Sequence, residues 1–155
     1  MIATAYDPTH LVQMVLHVGA PITPTELASL VRGFDHLRAD VEARPGETPT
    51  YIVIIETEHA PTATQRRRMA AAEATVPRMR QVFVTSSAAI RGILPGSAPQ
   101  APADAGRIRQ TFATYAYSRG WLVANTGHDV EVFDLLHRRV RAEVQRAAVP
   151  PPNPS

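Results

Sequence analysis

The chain reads as a single layered α/β domain: a four-to-five-stranded sheet, mostly parallel or mixed, with about five helices. Three observations carry that expectation. Short apolar or β-branched runs at 10–18, 51–55, 81–85 and 108–113 alternate with helical patterns, as in a domain layered around a largely parallel sheet. Helix starts are marked by capping signals as well as by apolar periodicity. A length of 155 residues with 45% hydrophobic content suits one ordinary core rather than two domains or a disordered chain.

His10 to Val18 alternates with period two. Val12, Met14, Leu16 and Val18 share one face and Gln13 and His17 the other, which predicts a half-buried strand with a partly wet second face. Thr23-Pro24-Thr25-Glu26 is a capping box with Pro at the first helical position, and Ile22 and Leu27 stand where a hydrophobic staple would place them. Leu27, Leu30, Val31, Phe34, Leu37 and Val41 form one helical stripe that ends before Arg44-Pro45-Gly46. Tyr51 to Ile55 is a continuous β-branched run, the pattern of a central strand covered on both faces. Glu56 to Pro61 then forms a loop. Thr62-Ala63-Thr64-Gln65 begins a second capped helix, running through an Ala-rich segment to about Val76, with Pro77 as its limit.

Gln81 to Thr85 supplies another central strand, and Ser86 or Ser87 caps a short helix through Ile90 to Leu94. Residues 95–106 are rich in Pro, Ala, Ser and Gly. They read as a surface loop rather than a linker, because the remainder of the chain beyond them is too small to fold alone. Ile108 to Ala113 is a further strand, and Thr114 caps a helix carrying Tyr115, Tyr117, Trp121 and Leu122. These aromatics, with Phe133, read as core or near-core. Asp129 caps a last amphipathic helix with the stripe Val130, Phe133, Leu136 or His137, Val140 and Val144. Residues 1–146 thus form the domain, and 147–155, with four prolines, form a flexible tail.

Composition removes several classes of function. The absence of Cys excludes disulfides, zinc fingers and thiol catalysis. All 16 basic residues are Arg, yet the 14 acidic ones leave a formal charge of only +2. With 6% aromatics, that balance lacks the footprint of nucleic-acid binding. No apolar run is long enough to span a membrane, and no secretory signal opens the chain, so a cytoplasmic location is expected.

Four stretches together resemble the STAS superfamily, and most closely its small stand-alone anti-sigma-factor-antagonist-like bacterial members. They are Val18-Gly19-Ala20-Pro21-Ile22-Thr23, the helix start near Gln65-Arg66-Arg67, Thr85-Ser86-Ser87 with Arg91-Gly92-Ile93 after it, and Thr111-Phe112-Ala113-Thr114 leading to Ala116 and Trp121-Leu122. The likeness spans roughly residues 10–125. It implies a non-enzymatic protein-interaction domain with an anti-sigma, kinase or receptor type of partner. Better-known relatives are phosphorylated on a Ser or Thr after the second central strand, usually within Asp-Ser-x-Gly. The matching stretch here, Glu56 to Thr64, has hydroxyls but neither the Asp-Ser pair nor the Gly.

Glu56, Glu58 and His59 stand at the predicted carboxyl end of a central strand, where open α/β sheets bind ligands. Two carboxylates and an imidazole could act as acid, base or metal ligand. Alternation separates them, however, and a solvated loop is the simpler expectation. Ser86 and Ser87, with Arg91 one turn on, could hold an anion, although plain helix capping explains them. There is no phosphate-binding loop and no Gly-x-Ser-x-Gly, and the Arg66-Arg67-Arg68 triplet spreads around a helix as a solvated face. The leading expectation is a regulatory or scaffolding interaction domain without cofactor, metal or catalytic activity. Its partner- or anion-binding candidates are Thr57, Glu58, His59, Thr62, Thr64, Arg66, Ser86, Ser87 and Arg91. The alternative is a small apolar or anionic ligand bound between the sheet and the short helices, with an enzyme built on Glu56, Glu58 or His59 ranked below it.

Overall fold

The computed structural model describes residues 1–94 and 107–149. The Pro-rich loop expected at 95–106 and residues 150–155 of the expected tail lie outside the described residues. Five strands, β1 (Ile2–Asp7), β2 (Val12–Val18), β3 (Thr50–Glu56), β4 (Met79–Val84) and β5 (Arg107–Phe112), lie side by side in chain order in one sheet. β1 runs antiparallel to β2, and β2 to β5 are parallel. Helices α1 (Pro24–Ala43), α2 (Ala63–Glu73) and α3 (Ala88–Ile93) connect the parallel strands, and α4 (Tyr115–Thr126) and α5 (Val130–Ala148) come after the last one. The α/β class and the mixed, mostly parallel sheet match the sequence expectation.

Strands laid in chain order, with right-handed crossovers, put every crossover helix on one face. α1 packs against α2 there, over Val15, Tyr51 and Met79, with Leu30, Phe34 and Leu37 supplied by α1. The opposite face carries Met14, Leu16, Ile52, Ile54, Val82 and Val84 and is closed by Leu122 of α4 and by Phe133, Leu136 and Val140 of α5. α5 lies over β1 and β2, while α4 reaches β4 and β5.

Both capping boxes form, Thr23 with Glu26 and Thr62 with Gln65. Glu26 also accepts the Ile2 amide at 2.8 Å, and Gln65 donates to the Ile22 carbonyl at 2.8 Å, so each box ties its helix to a neighbouring segment. Gly127, at φ 72°, supplies the left-handed cap that ends α4.

Four details differ from the sequence expectation. β1 is an additional strand, inconspicuous because its inward residues on the α5 side are only Ala3 and Ala5. β2 has no wet face: Gln13 and His17 are 5% and 3% exposed, because α1 covers what β1 and β3 flank. Tyr117 projects outward at 73% exposure, whereas Phe133 is fully buried. α5 continues to Ala148, past the expected boundary at 146, since nothing before the prolines interrupts it.

Because α5 closes a whole sheet face, Phe133→Ala is expected to lower the unfolding free energy by about 3–5 kcal/mol. Tyr117→Ala should change it by no more than about 0.5 kcal/mol. Chemical denaturation of the two variants beside the parent checks both values.

Candidate functional site

The carboxyl ends of β3, β4 and β5 open into a cleft of about 590 Å³, lined by Glu56, Thr57, Glu58, Ser86, Ser87, Thr114, Tyr115 and Arg141 among others. Parallel strands bring these loops to one edge, which is why residues far apart in sequence meet there. Ser87 donates to Glu58 Oε2 at 2.7 Å, and its oxygen accepts the Ile90 amide as the N-cap of α3. Thr57 donates to the Gly19 carbonyl and accepts the His59 amide, which shapes the loop after β3.

The cleft does not gather every predicted site residue. Thr62 is spent on capping α2, and Thr64 accepts from Arg67 on the same exposed turn. Arg66 donates to the Pro61 carbonyl at 2.6 Å, and His59 is exposed. Arg91 turns back onto the Thr85 and Ser86 carbonyls, both at 3.2 Å, and so braces the β4–α3 loop.

Behind the cleft runs a connected set of side chains. Arg141 binds Glu56 through both guanidinium nitrogens, one of them at 2.6 Å, and donates to His137 Nε2 at 3.2 Å. The Arg141 hydrogen bonds and charge hold the Glu56 carboxyl below its ordinary range. His137 stacks on Tyr115 with centroids 4.0 Å apart, and the Tyr115 hydroxyl donates to Asp134, which also pairs with Arg119. Glu56 is thus engaged by Arg141 and Glu58 by Ser87, on separate partners. Among the described residues no three His, Cys, Asp or Glu side chains stand together as a metal site.

A second concavity lies on the other side of the sheet from α5. Between the strands and α1, α2 and α3 is an apolar cavity of about 290 Å³, at the lower end of the range for small-molecule sites. Its floor is three rungs of the parallel sheet: Tyr51 and Gln81 in register, then Val15, Val53 and Phe83, then His17 and Ile55. Phe34 of α1 stands over Tyr51 with ring centroids 4.7 Å apart, and Ile90 of α3 closes the far end. The roof is thin. α2 buries none of its residues and offers the cavity only Arg66, Met69, Ala70 and Glu73. Ala70, exposed on that helix, offers the cavity no more than a methyl group.

Sequence reasoning missed this cavity as a set of residues, although a signal for it was present. The run Tyr51 to Ile55 demands cover on both faces, and the Arg- and Ala-rich helix after it has little apolar bulk to give. His17, at the cavity's end, donates from Nε2 to the Ala20 carbonyl at 2.9 Å, and burial pushes its pKa below the ordinary imidazole value.

No family model, no curated protein and no solved structure matches the chain.

Burial lowers the pKa of His17, His128 and His137 alike, with Arg141 adding to the effect at His137. The folded state therefore binds protons less readily than the unfolded chain, whose histidines titrate near 6.5. Their contribution to stability is intact above that pH and is lost as pH falls through it toward the folded values. Thermal unfolding between pH 7.5 and 5 should show a falling midpoint. His17→Gln and His137→Gln should each flatten the fall, and an unchanged slope in both would count against this assignment.

Proposed function

We propose that this domain is a non-enzymatic binding module for a small apolar molecule, held in the cavity under α1, α2 and α3. The observation that carries the reading is the 290 Å³ apolar space beneath a helix with no buried residue. Unfilled apolar space forfeits dispersion contacts along its walls, so a ligand that occupies it gains them without first having to open the core. The floor belongs to the central strands of the sheet, which makes the site largely preformed and lowers the ordering cost of binding.

N-phenyl-1-naphthylamine, whose fluorescence rises in apolar surroundings, tests this directly. One saturable site is expected. Ala70→Phe and Val53→Phe, which fill the space from roof and floor, should each weaken binding at least tenfold while the protein stays as stable as the parent. If the dye gives no saturable signal with the parent protein, the reading falls.

A second reading is favoured by the cleft at the carboxyl edge, where Glu58 and Ser87 join two loops beside the exposed Ser86. In that reading the module contacts a regulatory protein of anti-sigma or kinase type, in keeping with the resemblance to STAS domains. Ser87 itself is a poor acceptor for phosphate, being buried and engaged at both its hydrogen and its oxygen. Affinity purification from the native cells tests this reading. A stoichiometric partner lost in Glu58→Ala supports it, and a partner retained by that variant moves the contact elsewhere.

A further inference from the structure

The cavity is not apolar throughout, and its polar end is specific. Gln13, Tyr51, Gln81 and Arg109 form a continuous polar rung across β2 to β5, directly beside the apolar rung of Val15, Val53 and Phe83. Tyr51 and Gln81 are 5% and 1% exposed, and both line the cavity. Arg109 Nε donates to Gln81 Oε1 at 2.6 Å, which fixes the amide orientation and leaves Nε2 as the end without an acceptor among the described residues. The Tyr51 hydroxyl likewise has no hydrogen-bond partner among the described residues, and burial keeps it protonated. Both residues line the cavity, so these two donors on adjacent strands face space that a ligand oxygen can reach, and an acceptor there would gain both hydrogen bonds.

We propose that the cavity takes an aliphatic chain ending in a carbonyl or carboxylate, whose oxygen accepts from the Tyr51 hydroxyl and Gln81 Nε2. The inference rests on the apolar-ligand reading above and adds the chemistry of the ligand's head and its orientation. Adjacent strands stand about 4.8 Å apart, so donors on one rung can converge on a single oxygen or on the two of one carboxylate. The charge of Glu73, close to Tyr51, is offset by Arg109 at 2.8 Å and Arg107 at 3.4 Å, and so does not bar an acceptor. From this rung to that of His17 and Ile55 is four residues of strand, about 13 Å of floor for the chain to track. Arg66 offers the competing placement. It lies exposed on the cavity's rim and could hold a carboxylate with the chain pointing inward.

Competition against bound N-phenyl-1-naphthylamine separates these arrangements. The competitors are decanoate, methyl decanoate and decylamine, which share a chain and differ in the head. Decanoate, methyl decanoate or both should compete at least tenfold better than decylamine, and the order of those two tells a free acid from an ester as the natural head. With each variant's competitor affinity read relative to its own dye affinity, Tyr51→Phe and Gln81→Leu should each lower that ratio for the better competitor about five- to tenfold, while Arg66→Ala should not lower it. Equal competition by decylamine, or a loss confined to Arg66→Ala, overturns the head assignment while the apolar-ligand reading stands. Absence of dye binding to the parent protein removes both.

Discussion

The arrangement of everything else depends on the order of the strands. With β2 to β5 parallel and adjacent in chain order, each return connection has to cross the same face. That face receives three helices, and the opposite one receives none from the crossovers. An apolar face left bare would not persist in water, so the chain after β5 has to supply its cover, and α4 and α5 do so. The two halves of the core are therefore built by different parts of the sequence and differ in quality. Phe133, Leu136 and Val140 interlock closely with the strands, whereas α2 lies over the sheet as a thin lid.

The contrast in covering gives the cavity its physical meaning. α2 holds its place through its ends and through packing on α1, with the Thr62–Gln65 box and the Gln65 bond to Ile22 at one end and the Glu73 pairs with Arg107 and Arg109 at the other. A helix anchored in this way can span a gap without filling it. Any molecule that fills the gap binds the folded state alone and raises its stability by mass action, so occupancy and stability are linked. The same anchoring pairs also set the polar end of the cavity, because Arg109 both holds Glu73 and orients Gln81.

Much of the architecture was legible because it is written in local chemistry. Thr23 with Glu26 and Thr62 with Gln65 announce their helices in four residues, and Ser87, Thr114 and Asp129 do so with a single hydroxyl or carboxylate. β3 declares itself central by Ile52, Val53, Ile54 and Ile55 in succession. What escaped depends on contacts distant in sequence. β1 carries alanines where a stronger strand would carry Val or Ile, and its pairing with β2 is what makes it a strand. Gln13 and His17 read as wet because they are polar, yet they lie under α1. Of the predicted site residues, Thr57, Glu58, Ser86 and Ser87 meet in the cleft because strand polarity alone brings them there. The partners of Arg66 and Arg91 are backbone carbonyls, which no residue pattern marks. The cavity is legible only when α2 is weighed against the strands it covers, a comparison between elements rather than within one.

The placement of α5 has a consequence for how the chain comes into being. Its hydrophobic stripe closes over β1 and β2, which are made before the other described strands of this sheet, so their shared outer face waits for a partner made more than a hundred residues later. Through most of that interval the domain carries an apolar surface that α1 and α2, packed on the other face, leave uncovered. Such a surface invites chaperones or neighbouring chains until the last helix arrives. Completion of this fold thus waits for α5, whereas the cavity side, built from consecutive strand–helix units, can assemble as it emerges.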